Sequence, residues 1–147
     1  MKRLKCVIAF CLLAFLSLSL LFSCGNSEKD VRKIDLCVTD EIKESYQKGR
    51  SKQTTDLDDI ERIMEFINGL EKEETEKTTF DSLDSVSIKI HYNYEIERFC
   101  FRKGYYSYYK FYNNNETYYK LSDEDYSRLM LLYDELDCEE YAWTAME

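Results

Sequence analysis

Val86-Ser87-Ile88-Lys89-Ile90-His91-Tyr92 decides the fold: apolar side chains alternate strictly with polar ones over seven residues. A period of two places alternate side chains on opposite faces, which is the signature of a half-buried strand in an antiparallel sheet. The pattern continues downstream. After a turn near Asn93, Phe99 and Phe101 alternate with Arg98, Cys100 and Arg102. Lys103-Gly104 then offers a tight turn, because glycine accepts positive φ without steric cost. Tyr105 to Tyr112 reads as the next strand and Asn113-Asn114-Asn115 as the next turn. Thr117 to Leu121 is placed to add a short further strand.

Upstream and downstream of these hairpins the period changes. Leu57, Ile60, Ile63, Met64, Ile67 and Leu70 recur at spacings of three and four, one apolar stripe of a helix. Thr55-Asp56-Leu57-Asp58 opens it as an approximate capping box, and Gly69 stands near its end. A second helix starts at Ser122, with Asp123, Glu124 and Asp125 favoured in its first turn by the helix dipole. Its stripe is Tyr126, Leu129, Met130, Tyr133 and Leu136. Before the first helix, Ile34, Leu36 and Val38 alternate with Asp35 and Cys37 as one more strand. Residues 40–54 are charged and lack a period, so they read as a loop. Glu71 to Thr79 reads as a solvated connection, and 138–147 as an acidic C-terminal tail. The expected fold is therefore α+β, in the order β-α-β-β-β-α. A mostly antiparallel sheet of four to five strands carries two helices on one face, within a single domain spanning residues 31–137.

The N-terminus carries an address. Lys2, Arg3 and Lys5 precede an apolar run from Val7 to Phe22, with no acid before Glu28. A charged start, a short apolar core and a small residue before the cut describe a secretory signal peptide. The sixteen residues of the run span only about 24 Å as a helix, short of a hydrocarbon core about 30 Å thick. Leu21-Phe22-Ser23-Cys24 resembles the lipobox of bacterial lipoproteins, with Leu three places before the cysteine and a small residue directly before it. Phe22 departs from the small or β-branched residue usual there. The resemblance implies a signal peptide over residues 1–23 and a diacylglyceryl thioether on Cys24. It also implies a domain held outside the cytoplasm at the cell membrane or outer membrane. Gly25 to Asp30 then serves as a tether. Two acyl chains suffice for anchoring, since each buried CH₂ contributes about 0.8 kcal/mol. Lys120-Leu121-Ser122-Asp123-Glu124-Asp125-Tyr126, following a tyrosine-rich strand, is also similar to a helix start in small Gram-positive lipoproteins. That likeness brings no chemistry with it.

Charge and composition narrow the partners. The 147 residues hold 20 Lys and Arg against 29 Asp and Glu, a net −9. Losing residues 1–23 removes three bases and no acids, leaving 17 bases against 29 acids, or −12. This balance disfavours nucleic acid, whose phosphates demand clustered Lys and Arg. His91 is the only histidine, which rules out most multi-histidine metal sites. A pairing of His91 with Cys37, Cys100 or Cys138 is the sole enzymatic candidate, and a solvent-facing strand histidine is the plainer expectation. No nucleophile elbow, zincin, phosphate-loop or dinucleotide motif occurs. The acids Asp56, Asp58, Asp59 and Glu61 lack calcium-loop spacing and suit a helix N-terminus. No catalytic residue, metal or cofactor is expected. Cys37, Cys100 and Cys138 are an odd set with no zinc spacing, so at most one disulfide joins two of them.

Seven tyrosines between Tyr105 and Tyr119 are the distinctive feature. Alternation puts Tyr106, Tyr108 and Tyr112 on one face and Tyr105 and Tyr109 on the other. One set packs under the helices, and the other stands on the open face. Rigid amphipathic rings supply contact area at low entropy cost, so Tyr106, Tyr108 and Tyr112 are the candidate binding face for a protein, peptide or glycan. Ordinary cross-strand ring pairing accounts for the same residues without a ligand. The expectation is a lipid-anchored, non-enzymatic binding or accessory module. The alternative is a structural or inhibitory partner of another envelope protein.

Overall fold

The computed structural model describes residues 30–43, 46–76, 85–111 and 113–146. Cys24, the expected signal peptide, the expected tether up to residue 29 and Tyr112 lie outside them. The elements in chain order are β1 (Val31–Lys43), β2 (Tyr46–Thr54), α1 (Leu57–Asn68), β3 (Ser85–Tyr92) and β4 (Ile96–Arg102). They continue with β5 (Tyr105–Lys110), β6 (Asn113–Lys120), α2 (Asp123–Glu135) and β7 (Glu140–Met146). The strands form one antiparallel sheet in the order β6-β5-β4-β3-β1-β2-β7.

This corrects the expected fold. Among the described residues the protein is mostly β, with seven strands and two short helices, rather than a four-to-five-stranded α+β sheet in the order β-α-β-β-β-α. The two extra strands come from segments without an apolar period. Residues 40–54, expected as a loop, extend β1 and supply β2. Residues 138–147, expected as a tail, supply β7. On β2 the side chains that share a face with Ile34, Leu36 and Val38 are Thr54, Lys52 and Arg50. A strand whose inward residues are polar gives no hydrophobic signal, and backbone pairing with β1 holds it in place.

The core lies between one sheet face and the helices. Ile34, Leu36, Val86, Ile88, Ile90 and Phe101 from the sheet join Ile63, Leu129 and Tyr133 from the helices, all at most 1% exposed. Asp56 caps α1, its carboxylate accepting from the N–H groups of Asp58 and Asp59, so the cap falls one residue later than Thr55. That shift leaves Leu57 at the first helical position, 75% exposed, while Phe66 joins the buried stripe in its place. Ser122 caps α2, its hydroxyl accepting from the Asp125 N–H. The α2 segment carries the chain from β6 at one edge of the sheet to β7 at the other. No helix among the described residues is long and apolar enough to cross a membrane.

Candidate functional site: an aromatic cleft beside the first helix

The helix layer does not cover the whole sheet. Beyond the C-terminal half of α1, between Met64 and Ile67 above and strands β3 to β6 below, a cleft of about 280 Å3 stays open. Its floor and walls are aromatic: Tyr92, Phe99, Tyr106, Tyr108 and Tyr119. Register explains the gathering. Phe99 stands opposite Tyr108, and Tyr106 opposite Tyr119, so one face of three neighbouring strands presents a patch of rings. Phe99 and Tyr108 have centroids 4.9 Å apart and tilted, while Tyr106 and Tyr119 stack at 5.1 Å. Such contacts hold the rings rigid, each pair being worth about 0.5–1.5 kcal/mol beyond burial.

The polar rim is sparse. Glu97 reaches the cleft from β4, accepts from Tyr92 Oη at 3.3 Å and lies 3.6 Å from Lys110 Nζ. Lys72 and Asn68 border the mouth. The Tyr106 hydroxyl donates to the Glu71 carbonyl at 3.1 Å, and burial pushes its pKa up to about 12, so it remains a neutral donor at physiological pH. An apolar ring-lined hollow with a few convergent polar groups is the ordinary form of a small-ligand site.

The tyrosines named from sequence are distributed as follows. Tyr106 and Tyr108, expected on the open face, stand instead on the helix-side face with Phe101 and Phe99. Both line the cleft there, Tyr106 as a 3% exposed wall that also belongs to the core and Tyr108 as a half-buried one. Tyr112 lies outside the described residues. Tyr105 and Tyr109 are on the opposite face, where Tyr105 is 7% exposed and packs 6.3 Å from Tyr118. The reading of the tyrosines alone missed Tyr92, Glu97 and Tyr119. The alternation of β3 and β4 already placed Tyr92 and Phe99 with the apolar set. Tyr119 and Glu97 needed the pairing register, which alternation within one strand does not supply.

The histidine and the cysteines fall elsewhere. His91 Nε2 lies 2.7 Å from the Asp35 carboxylate on the helix-free face. Cys37, Cys100 and Cys138 are all free thiols. Burial pushes the pKa of Cys37 and Cys100 up, which keeps them as thiols rather than nucleophilic thiolates. Among the described residues no three His, Cys, Asp or Glu side chains gather to hold a metal ion. Comparison of the chain with protein-family models, curated proteins and solved structures finds no match.

Proposed function

We propose that this protein is a lipid-anchored extracytoplasmic binding module, non-enzymatic, that takes a flat-faced glycan or peptide group into the aromatic cleft. The observation that carries the proposal is the cleft: five rings, four of them packed in pairs, around a hollow open to solvent where the helix layer stops. A sugar ring or an aromatic or aliphatic side chain stacks on such a surface, and Glu97 at the rim accepts from a hydroxyl or ammonium. Anchoring rests on Leu21-Phe22-Ser23-Cys24 behind a basic, apolar leader.

Binding to a glycan and peptide array tests the function. Tyr108→Ala should abolish the retained spots, whereas Tyr141→Ala, on the opposite face and 52% exposed, should leave them unchanged. Equal loss in both variants, or retention by Tyr108→Ala, would contradict the cleft as the site. Fatty-acid labelling that survives Cys24→Ser would contradict the anchor.

One observation favours the partner role instead. Strand β7 ends the sheet, and Tyr141 to Met146 contains neither charge nor proline. Charge and proline are the usual protection of an edge against strand addition.

A further inference from the structure

The sheet face turned away from the helices departs from the charge of the molecule. The two helices carry nine acids and two bases. The opposite sheet face presents Lys33, Lys89, Arg98, Arg102 and Lys120 against Asp35 and Glu116, with Glu73 paired to Lys120 at its edge. At its centre Lys89 on β3 stands directly opposite Arg98 on β4. Like charges so placed destabilise a strand pair.

Neither cation has a carboxylate partner among the described residues. Arg98 Nη1 donates to Tyr109 Oη at 2.8 Å, and its Nε is buried without any hydrogen-bond partner. Asp35 faces Lys89 from β1 but is otherwise engaged, with Gln53 and His91 nitrogens at 2.7 Å and Lys33 at 3.4 Å. The next row of cross-strand partners is Cys37, Ser87, Cys100 and Ser107, all small, so shorter side chains stand beside Lys89 and Arg98. Neutral thiols add no charge there that would oppose an anion.

We propose that Lys89 and Arg98 form the cationic centre of an oxyanion site on this face, and that the group bound is a phosphate. The guanidinium fork matches phosphate oxygens, and the ammonium supplies a second point charge. Ser87 Oγ, two residues from Lys89 on the same face of β3, is a further donor. Tyr109 Oη accepts from Arg98 and keeps its own proton to donate. A phosphate resolves two features at once: the opposed like charges and the cationic face of an acidic chain.

The test uses the full chain in neutral detergent micelles, with amide chemical shifts followed in two arms. One arm adds inorganic phosphate, and the other dopes the micelles with phosphatidylglycerol. Saturable shifts at Lys89, Arg98 and Ser87 are expected in at least one arm, and which arm responds assigns the phosphate to a free ion or a lipid headgroup. Lys89→Gln and Arg98→Gln should each weaken binding about tenfold or more, while Arg62→Gln on the helix side leaves it unchanged. Without phosphate, Lys89→Gln should melt no lower than the parent, because it removes a like-charge contact. Absence of shifts at these amides in both arms, or parental affinity in both glutamine variants, overturns the proposal.

Discussion

Lys52 shows how a single side chain replaces a missing signal. It is 9% exposed, and its ammonium donates to the carbonyls of Tyr133 and Leu136, each at 2.9 Å, while standing 5.0 Å from the Tyr133 ring centroid. The last turn of α2 has no basic residue of its own, so a strand lysine satisfies the carbonyls that a helix end leaves open. Lys52→Met keeps the stem and removes the charge. It should destabilise the fold by about 2–3 kcal/mol in urea unfolding, because buried acceptors lose charged donors. An unchanged midpoint would show that desolvation of the ammonium cancels its hydrogen bonds. Asp35 makes a second residue-scale prediction. Burial by itself raises its pKa, but hydrogen bonds from Gln53 and His91, with the charges of His91 and Lys33, outweigh that and hold it below its ordinary 3.8. A depressed carboxyl contributes stability above the unfolded pKa and loses it as pH falls through the folded value. Thermal midpoints should therefore drop below about pH 4, and the Asp35→Asn variant should show a shallower drop across that window.

At the scale of elements, legibility followed hydrophobic periodicity. Strands β3 and β4 and both helices were readable because their buried side chains are apolar and recur at periods of two or of three and four. Strands β2 and β7 were not, since Arg50, Lys52 and Thr54 face inward on one while Tyr141 and Trp143 face outward on the other. What places β7 is contact with β2. The Trp143 indole donates to the Arg50 carbonyl at 3.2 Å and its ring lies over Gly49. A Cβ at Gly49 would stand 1.9 Å from the Val38 carbonyl oxygen and 2.8 Å from the Trp143 ring. Gly49→Ala should therefore cost about 1–3 kcal/mol through overpacking, with Trp143 fluorescence shifting toward that of an exposed indole. A variant as stable as the parent, with unshifted emission, would show that β7 does not depend on this contact. The candidate site was half legible for a related reason. Tyr106 and Tyr108 follow from alternation within one strand, whereas the ring set of the cleft requires knowing which strands pair and where the helix layer ends.

For the whole molecule, a twisted antiparallel sheet with one helix layer leaves two kinds of surface. On the covered side, α1 and α2 bury the centre of the sheet, and a cleft lined by Phe99, Tyr106, Tyr108 and Tyr119 stays open beside Met64 and Ile67. On the other side, polar and cationic strand residues face outward from a chain of net charge −9. A lipid anchor on Cys24 would tether both surfaces to the membrane, and the acidic helices would be repelled from anionic headgroups. Chemical-shift mapping of the full chain with a library of short glycans and peptides tests the central claim most directly. The account predicts saturable shifts clustered on Tyr92, Phe99, Tyr108 and Tyr119, lost in a folded Tyr108→Ala variant. Shifts confined to the β7 edge, or a cleft silent to every member of the library, would contradict it.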